Sequence, residues 1–433
     1  MSTTSAPRHR GHRAGRHRGR LAIAGAAVGA LVLGLAAPAG AAGEPDPTFS
    51  GDGRLTVDLT SDGYEGGYAA AVQPDGKILA AGRTGGSGGR MYVARFNADG
   101  SPDTTFSGDG RAVADFGPGD DWATDIGLGA DGTIVVAGAA GDYTRMAVAR
   151  FTPTGAPDVT FSGDGRRTFN MSPGEEGADD VIVDGDGRIV LAGGAAMGGA
   201  SRFALARFTA TGAVDPTFGG GDGRTDTDFG PGPDSAMALV QQPDGKFVVG
   251  GRAGGGGGER MALARYTEDG ALDPTFSGDG KLTRDTGPGY EDGAAVAVQD
   301  DGSIVLAGEA AGQRLGIFRF TATGAPDTTF DGDGMRIDDR PNGPEWLSDI
   351  RLQEDGKIVF SGTQGGQGNR MLLGRYLTDG TPDPTFSGDG FAPINLSPNF
   401  DVAWDLAIQP DGAIVGVGDA DNGAKLGLIR VAG

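Results

Sequence analysis

Apolar and polar residues alternate along this chain in short runs broken by glycine, and nowhere do they form a helical stripe. One stretch carries the whole pattern. Residues 111 to 116 read Arg-Ala-Val-Ala-Asp-Phe, a short alternating strand followed by a loop up to Trp122. A second extended run covers residues 125 to 129 and stops at Asp131-Gly132. A third covers residues 133 to 138, and a fourth, after a glycine-bearing loop, covers residues 146 to 151. Asp-Gly between two apolar runs signals a tight hairpin, because glycine accepts positive φ without steric cost. It recurs at Asp75, Asp131, Asp186, Asp244, Asp301, Asp355 and Asp411. Helices are disfavoured throughout, since each of the 84 glycines would cost one about 1 kcal/mol.

These runs repeat. A phenylalanine followed closely by Gly-Asp-Gly occurs at Phe49, Phe106, Phe161, Phe218, Phe276, Phe330 and Phe386, at spacings of 54 to 58 residues. A period of this length makes each copy one unit that hides its apolar faces only against its neighbours. Four antiparallel strands per unit, repeated radially, make the blade of a β-propeller, so the sequence predicts an all-β, seven-bladed propeller over residues 44–433. With the strand that ends in Asp-Gly innermost and the one after Gly-Asp-Gly outermost, the chain is out of phase with its blades. Residues 54 to 59 then supply the outer strand of the blade whose other three strands come from residues 402 to 431, an interlock that removes an exposed seam.

Three strings are distinctive: Gln73-Pro74-Asp75-Gly76-Lys77-Ile78-Leu79-Ala80-Ala81-Gly82, Ala94-Arg95-Phe96-Asn97-Ala98-Asp99-Gly100, and Pro102-Asp103-Thr104-Thr105-Phe106-Ser107-Gly108-Asp109-Gly110. They resemble the delta-60 repeat family of bacterial surface and secreted proteins, and the resemblance runs over residues 45 to 433. It implies a propeller-like β-repeat and export; it implies no defined enzymatic activity and supplies no catalytic residues.

Residues 1 to 20 hold six arginines and all three histidines of the chain without one acid, and an Ala/Gly/Leu run follows over residues 21 to 40. This reads as a secretory signal peptide over residues 1–43, with an uncleaved membrane anchor as the alternative. The mature chain is expected to begin between Gly40 and Glu44 and to be secreted or associated with the cell surface, without a membrane span once the leader is cut. Loss of the six arginines moves the formal charge from −22 to −28. Such a field repels nucleic acid and anionic lipid and attracts cations or basic partners. There is no cysteine, and histidine is confined to the leader. A Ser-His-Asp triad, a cysteine nucleophile and a histidine-bound metal are therefore excluded from the mature chain. A monomer without a cofactor is expected, calcium being the one ion to consider.

Most recurrent polar residues have an architectural explanation. The Gly-Asp-Gly turns lack the alternating carboxylates that calcium requires; Asp184-Gly185-Asp186-Gly187 and Asp331-Gly332-Asp333-Gly334 come nearest, and the competing reading is an aspartate that caps backbone amides in a bend. Each repeated phenylalanine is expected to pack between blades. A basic pair on the third strand of every copy, from Arg90/Arg95 to Lys425/Arg430, is expected to bridge to aspartates or carbonyls of adjacent blades, the alternative being a basic ring that binds an anion, against which the net charge speaks.

What differs between copies points to function. Trp122, Trp346 and Trp404 lie at or just before the start of an innermost strand, and Tyr64, Tyr68 and Tyr290 occupy the corresponding connections of other copies. Acids accompany them, among them Glu65, Asp120, Asp121, Glu176, Asp234, Glu291, Asp292, Glu345 and Asp401. Six residues before the hairpin aspartate stand Asp125, Asp180, Asp349 and Asp405, where the other copies have alanine. Alternation places these four on the face opposite Ile126 and Leu128. The expectation is a non-enzymatic binding module whose aromatic and acidic channel mouth takes a glycan, a cation or a peptide, with a glycan or a protein at the cell surface as the partner. Two alternatives stand beside it: a glycan hydrolase or lyase using two carboxylates, Asp125 and Asp180, and a purely structural envelope protein.

Overall fold

The structure is a computed structural model and describes residues 40–60, 63–255, 258–339, 345–365 and 368–433, together with the backbone of Arg18–Arg20. Seven four-stranded antiparallel sheets stand as blades around one axis. Blade one runs outward through Glu65–Val72, Ile78–Thr84, Arg90–Phe96 and Arg111–Ala114. Blades two to six repeat this order from innermost strands Trp122–Leu128, Glu176–Val183, Ser235–Gln241, Asp292–Val298 and Glu345–Leu352. Blade seven comprises Val402–Ile408, Ile414–Ala420 and Lys425–Val431, and its outer strand is Arg54–Val57. Arg54 opposes Ile429 and Val57 opposes Leu426, so the expected interlock of the chain ends is present. Among the described residues the only helical turn is the 3₁₀ segment Gly219–Gly221. The expected leader lies outside the described residues up to position 39, apart from Arg18–Arg20, whose backbone pairs in parallel with the innermost strand of blade four.

The Asp-Gly signal marks a turn slightly longer than the two-residue type. Gly76 donates its N–H to the Gln73 carbonyl and Gln73 donates to the Lys77 carbonyl, both at 2.9 Å. Pro74 and Asp75 therefore form the bend, and Gly76, at φ +84°, is the left-handed residue behind it.

Apolar side chains gather in seven clusters, one between each pair of neighbouring blades; Val93 and Phe106 of one blade, for instance, meet Ile134 and Phe151 of the next. All seven repeated phenylalanines are fully buried, as expected of inter-blade packing. Phe106 lies against Gly155 of the following blade, where a Cβ would come within 2.9 Å of the ring at φ +88°, so only glycine fits. Above that ring, 4.5 Å from its centre, lies the Arg95 guanidinium, which ion-pairs with Asp103 at 2.8 Å and donates to the Pro153 carbonyl of the next blade at 2.6 Å. Arg150, Arg207, Arg265 and Arg319 repeat this fork. The aspartate of each Gly-Asp-Gly accepts the N–H two residues on, at 2.9–3.3 Å in all seven copies, and so caps the backbone of its bend.

In blade seven the turn between third and fourth strands is assembled from the two ends of the ring. Asp46 takes the place that Asp103 holds in blade one: its N–H bonds to the Arg430 carbonyl and its carboxylate pairs with the Arg430 guanidinium at 2.7 Å. Ser387 donates to the Ala42 carbonyl at 2.7 Å, and Gly43, at φ +85°, lies under Phe386. Of the expected mature starts, those at or before Ala42 keep these contacts.

Candidate functional site

One mouth of the channel is formed where the innermost strands begin and the second strands end. Six of the innermost strands carry a bulge of one residue at the same register; the extra residues are Tyr68, Thr124, Asp179, Met237, Ser348 and Trp404, and in blade five the shift falls between Asp292 and Ala295. A bulge bends the strand and re-aims the side chain at it. Four residues of the tyrosine and tryptophan set meet there across three blades. Tyr68 is buried, its ring 6.0 Å from Trp122 of blade two and 6.2 Å from Trp404 of blade seven. Tyr64 meets Trp122 edge-on at 6.5 Å, and its hydroxyl shares a 2.6 Å hydrogen bond with that of Tyr68. Tyr143, from the loop between the second and third strands of blade two, adds a fifth ring 5.7 Å from Trp122. Tyr64, Trp122, Tyr143 and Trp404 remain partly exposed over the buried Tyr68, so the rings form a continuous aromatic floor open to solvent.

Two charged side chains of the second strands complete this floor. Arg83 lies 4.5 Å over Trp122 and 5.2 Å over Tyr64, and it pairs with Asp120 at 2.7 Å. Although burial pushes the Asp120 carboxyl up, Arg83 and the Gly88 and Gly89 amides hold it below its ordinary value. Asp419 accepts the indole N–H of Trp404 at 2.9 Å and the N–H of Gly67 at 3.0 Å, which locks the Trp404 ring to blade one.

Burial raises the Asp419 carboxyl to about 7 against the lowering effect of those two donors. In the unfolded chain it would titrate at about 4. An acid raised on folding holds its proton more tightly in the native state, so its contribution erodes as pH climbs between those two values and the full penalty stands above the higher one. Asp419→Asn is expected to raise the melting midpoint relative to the parent at about pH 8 and to flatten the slope of stability against pH between about 4 and 7. A series of thermal melts across that range checks this; parallel curves for the two proteins would overturn it.

The acids of the expected mouth are placed differently. Asp125 accepts the N–H of Val181, Asp180 that of Leu239 and Asp405 that of Ala70, so each braces its innermost strand to the next blade. Arg351 bridges Asp349 and Asp405. All four are buried. They do not form an open acidic surface, because both faces of an innermost strand pack against neighbouring blades: Ile126 turns toward blade one while Asp125, on the opposite face, meets blade three. Asp125 and Asp180, the expected acid–base pair, each accept a backbone amide of the next blade. Glu65, Asp121, Glu176, Asp234, Glu291 and Asp401 are buried too and accept N–H groups of the loops that enter their strands. Glu345 is described by its backbone alone.

Trp346 stands opposite Thr363 in blade six, and Tyr290, entering blade five, accepts a hydrogen bond from Arg252 at 3.1 Å. Neither belongs to the five-ring floor, which gathers Tyr64, Tyr68, Trp122 and Trp404 from the expected set. Asp184 is held by Arg188 at 2.7 Å and Asp186 pairs with the same guanidinium at 3.1 Å; Asp331 lies 3.7 Å from Arg336, and Asp333 caps the Met335 N–H. Among the described residues no group of three or more His, Cys, Asp or Glu is arranged to hold a metal ion.

Sequence reasoning missed Tyr143, Arg83 and Asp419. The last two had a readable signal: one residue after the glycine of each second strand, the copies read Arg83, Ala139, Gly194, Arg252, Glu309, Thr363 and Asp419, the most chemically varied position of an otherwise apolar strand.

Residues 73–106, 129–161, 185–218, 242–276, 299–330 and 353–386 match the model of a family described as a domain of unknown function (DUF5122) beta-propeller. Among solved structures the chain is similar to hydrazine synthase of Kuenenia stuttgartiensis, at 13% identity and a TM-score of 0.51 over 87% of this chain and 98% of that one. It is also similar to a gluconolactonase from Xanthomonas campestris, at 12% identity and 0.41 over 79% and 90%. The beta-propeller domain of the trilobed protease of Pyrococcus furiosus matches at 10% identity and 0.45 over 85% and 96%. At such identities the likeness concerns the fold alone. No curated protein matches the chain. Among the described residues no helix is long and apolar enough to cross a membrane.

Proposed function

We propose, for a chain that is a β-propeller repeat protein, that it is an exported, non-enzymatic binding module of the delta-60 kind and that its ligand is a sugar chain held on the five-ring floor. The observation that carries this is the convergence of Tyr64, Tyr68, Trp122, Tyr143 and Trp404 from blades seven, one and two onto one partly exposed patch. Core packing alone would bury such rings, and a gap-filling tryptophan would need no ordered neighbours of its own kind. Aromatic faces stack on the apolar faces of sugar rings, while Arg83 and Asp120 at the rim offer donors and acceptors to hydroxyl groups. The acids expected to hydrolyse such a chain are engaged in holding blades together, which favours retention of the ligand over its cleavage.

The test is binding to a panel of soluble polysaccharides, followed by tryptophan fluorescence and a shift of the melting midpoint. Trp122→Ala and Tyr64→Ala are each expected to weaken binding by about two- to tenfold, the scale of one lost stacking contact of roughly 0.5–1.5 kcal/mol. Undiminished binding in both variants, or turnover of a bound glycan, would overturn this reading.

A further inference from the structure

On the outer rim between blades one and two lies a second feature, of opposite charge to the protein as a whole. Each third strand carries a basic residue within its first three positions, and at most blades an acid at or just past the end of the outer strand neutralises it. Arg90 pairs with Asp115 at 3.0 Å, Arg202 with Asp226 and Asp228 at 2.9 and 3.1 Å, Arg260 with Asp285 at 3.4 Å and Arg314 with Asp339 at 3.1 Å. Blade two departs from this rule. The register there ends with Phe169 opposite Met146, so that continuing it by one residue brings Asn170 level with Arg145, and no ion pair of Arg145 within 4.0 Å occurs among the described residues. Blade six carries the same exchange at Asn395, level with Arg370, but its outer strand, Phe391–Ile394, has no basic residue.

Blade two instead begins its outer strand with Arg166 and Arg167. With Arg145 and Thr168 they line an open cavity of about 510 Å³, whose other wall is Asp115, Phe116 and Gly117. The two acids beside it are already neutralised, Asp115 by Arg90 at 3.0 Å and Asp164 by Arg166 at 3.3 Å. Arg145 and Arg167 have no ion pair within 4.0 Å among the described residues, the charge of Arg145 reaching only the buried Asp121, and the Nε of Arg167 is enclosed without a hydrogen-bond partner. Each guanidinium presents a planar fork of donors that matches a carboxylate, sulfate or phosphate. Two forks without a direct ion-pair partner and a hydroxyl around one cavity, in a chain of formal charge −22, form a local basic seat for an anion.

We propose that this cavity is an oxyanion-binding site, with Arg145 and Arg167 as the charge donors and Arg166 and Thr168 as hydrogen-bonding groups. The proposal is independent of the aromatic floor, although Tyr143 and Arg145 leave the same loop and one long acidic polymer could reach both.

The decisive variant is Asn170→Asp, which restores the carboxylate that other blades place opposite their basic residue and so neutralises Arg145 without removing any side chain that packs. Sulfate is titrated into the full-length protein by calorimetry at constant ionic strength, alongside Asn170→Asp, Arg145→Gln and Arg167→Gln. The expected result is saturable binding that falls at least tenfold in Asn170→Asp and in both arginine variants. A polyuronate is then added as competitor: displacement of sulfate assigns the oxyanion to a polymer substituent, whereas sulfate binding indifferent to the polymer assigns it to a free anion. Absence of saturable binding, or equal binding by the parent and Asn170→Asp, overturns the proposal. Trp122→Ala is expected to bind sulfate like the parent, so a failure of the aromatic site and a failure of this one are told apart.

Discussion

Deletion of residues 1–57 is expected to abolish cooperative unfolding of the ring. That segment supplies the outer strand of blade seven, Phe49 between blades seven and one, and Asp46, the buried partner of Arg430. Loss of a buried phenylalanine costs about 3–5 kcal/mol, and removing one member of a buried ion pair costs a similar amount. Together these are comparable with the whole stability of an ordinary domain, roughly 5–15 kcal/mol. The third strand, Lys425–Val431, would also become a bare edge able to pair with another copy. Thermal or urea unfolding followed by fluorescence and by circular dichroism should give a broad, low transition with non-coincident curves, accompanied by association in size-exclusion chromatography. A truncated chain that melts as sharply and as high as the parent would show that the interlock is dispensable.

Replacing Arg207 by methionine is the single substitution with the largest expected cost. The guanidinium is buried, pairs with Asp215 at 2.8 Å, donates to the Glu268 carbonyl of the next blade at 2.6 Å and to Thr217 at 2.8 Å, and lies 4.7 Å from the centre of the Phe218 ring. Without it Asp215 is left as a buried, uncompensated charge, a loss of about 3–5 kcal/mol. Burial pushes the Asp215 carboxyl up, but Thr217 and the charge of Arg207 hold it below its ordinary value. An acid lowered on folding stabilises the native state above its unfolded pKa of about 4, and that contribution fades as pH falls through the folded value. Arg207→Met should therefore shift the acid-unfolding midpoint to higher pH as well as lower the melting temperature. The double variant Arg207→Met/Asp215→Asn should recover part of the loss, because no charge is then stranded. If the double variant is no more stable than the single one, the cost lies in packing on Phe218 instead.

Both results rest on relations that the sequence already states. Fork and interlock were both legible, because the repeat states each relation several times: Arg95 lies eight residues before Asp103, Arg150 before Asp158 and Arg207 before Asp215, and the missing outer strand at the end of the chain is found at its beginning. Repetition averages away local ambiguity, so a glycine, a phenylalanine or an arginine that recurs in phase must serve the blade itself. The candidate site was less legible for the converse reason. Whether Asp125 faces solvent or braces Val181 depends on the next blade covering that face of its strand, and the packing of one blade on another leaves no trace in a single run of residues.

By itself, then, the sequence determined the all-β class, the count of seven blades, the closure of the ring by its own ends and the inter-blade role of the repeated phenylalanines and arginines. These follow from period and alternation, which are properties of the chain in one dimension. Only the tertiary structure decided which of the non-repeated residues meet. Tyr64, Trp122 and Trp404 converge because blades seven, one and two are neighbours across the closure, although more than 280 residues of chain separate Trp122 from Trp404. Arg145 lacks an ion pair because the register, continued by one residue, brings Asn170 level with it. Contact between distant, unique side chains depends on the angle between blades and on the side to which each strand turns its residues, and neither is written in any single stretch of sequence.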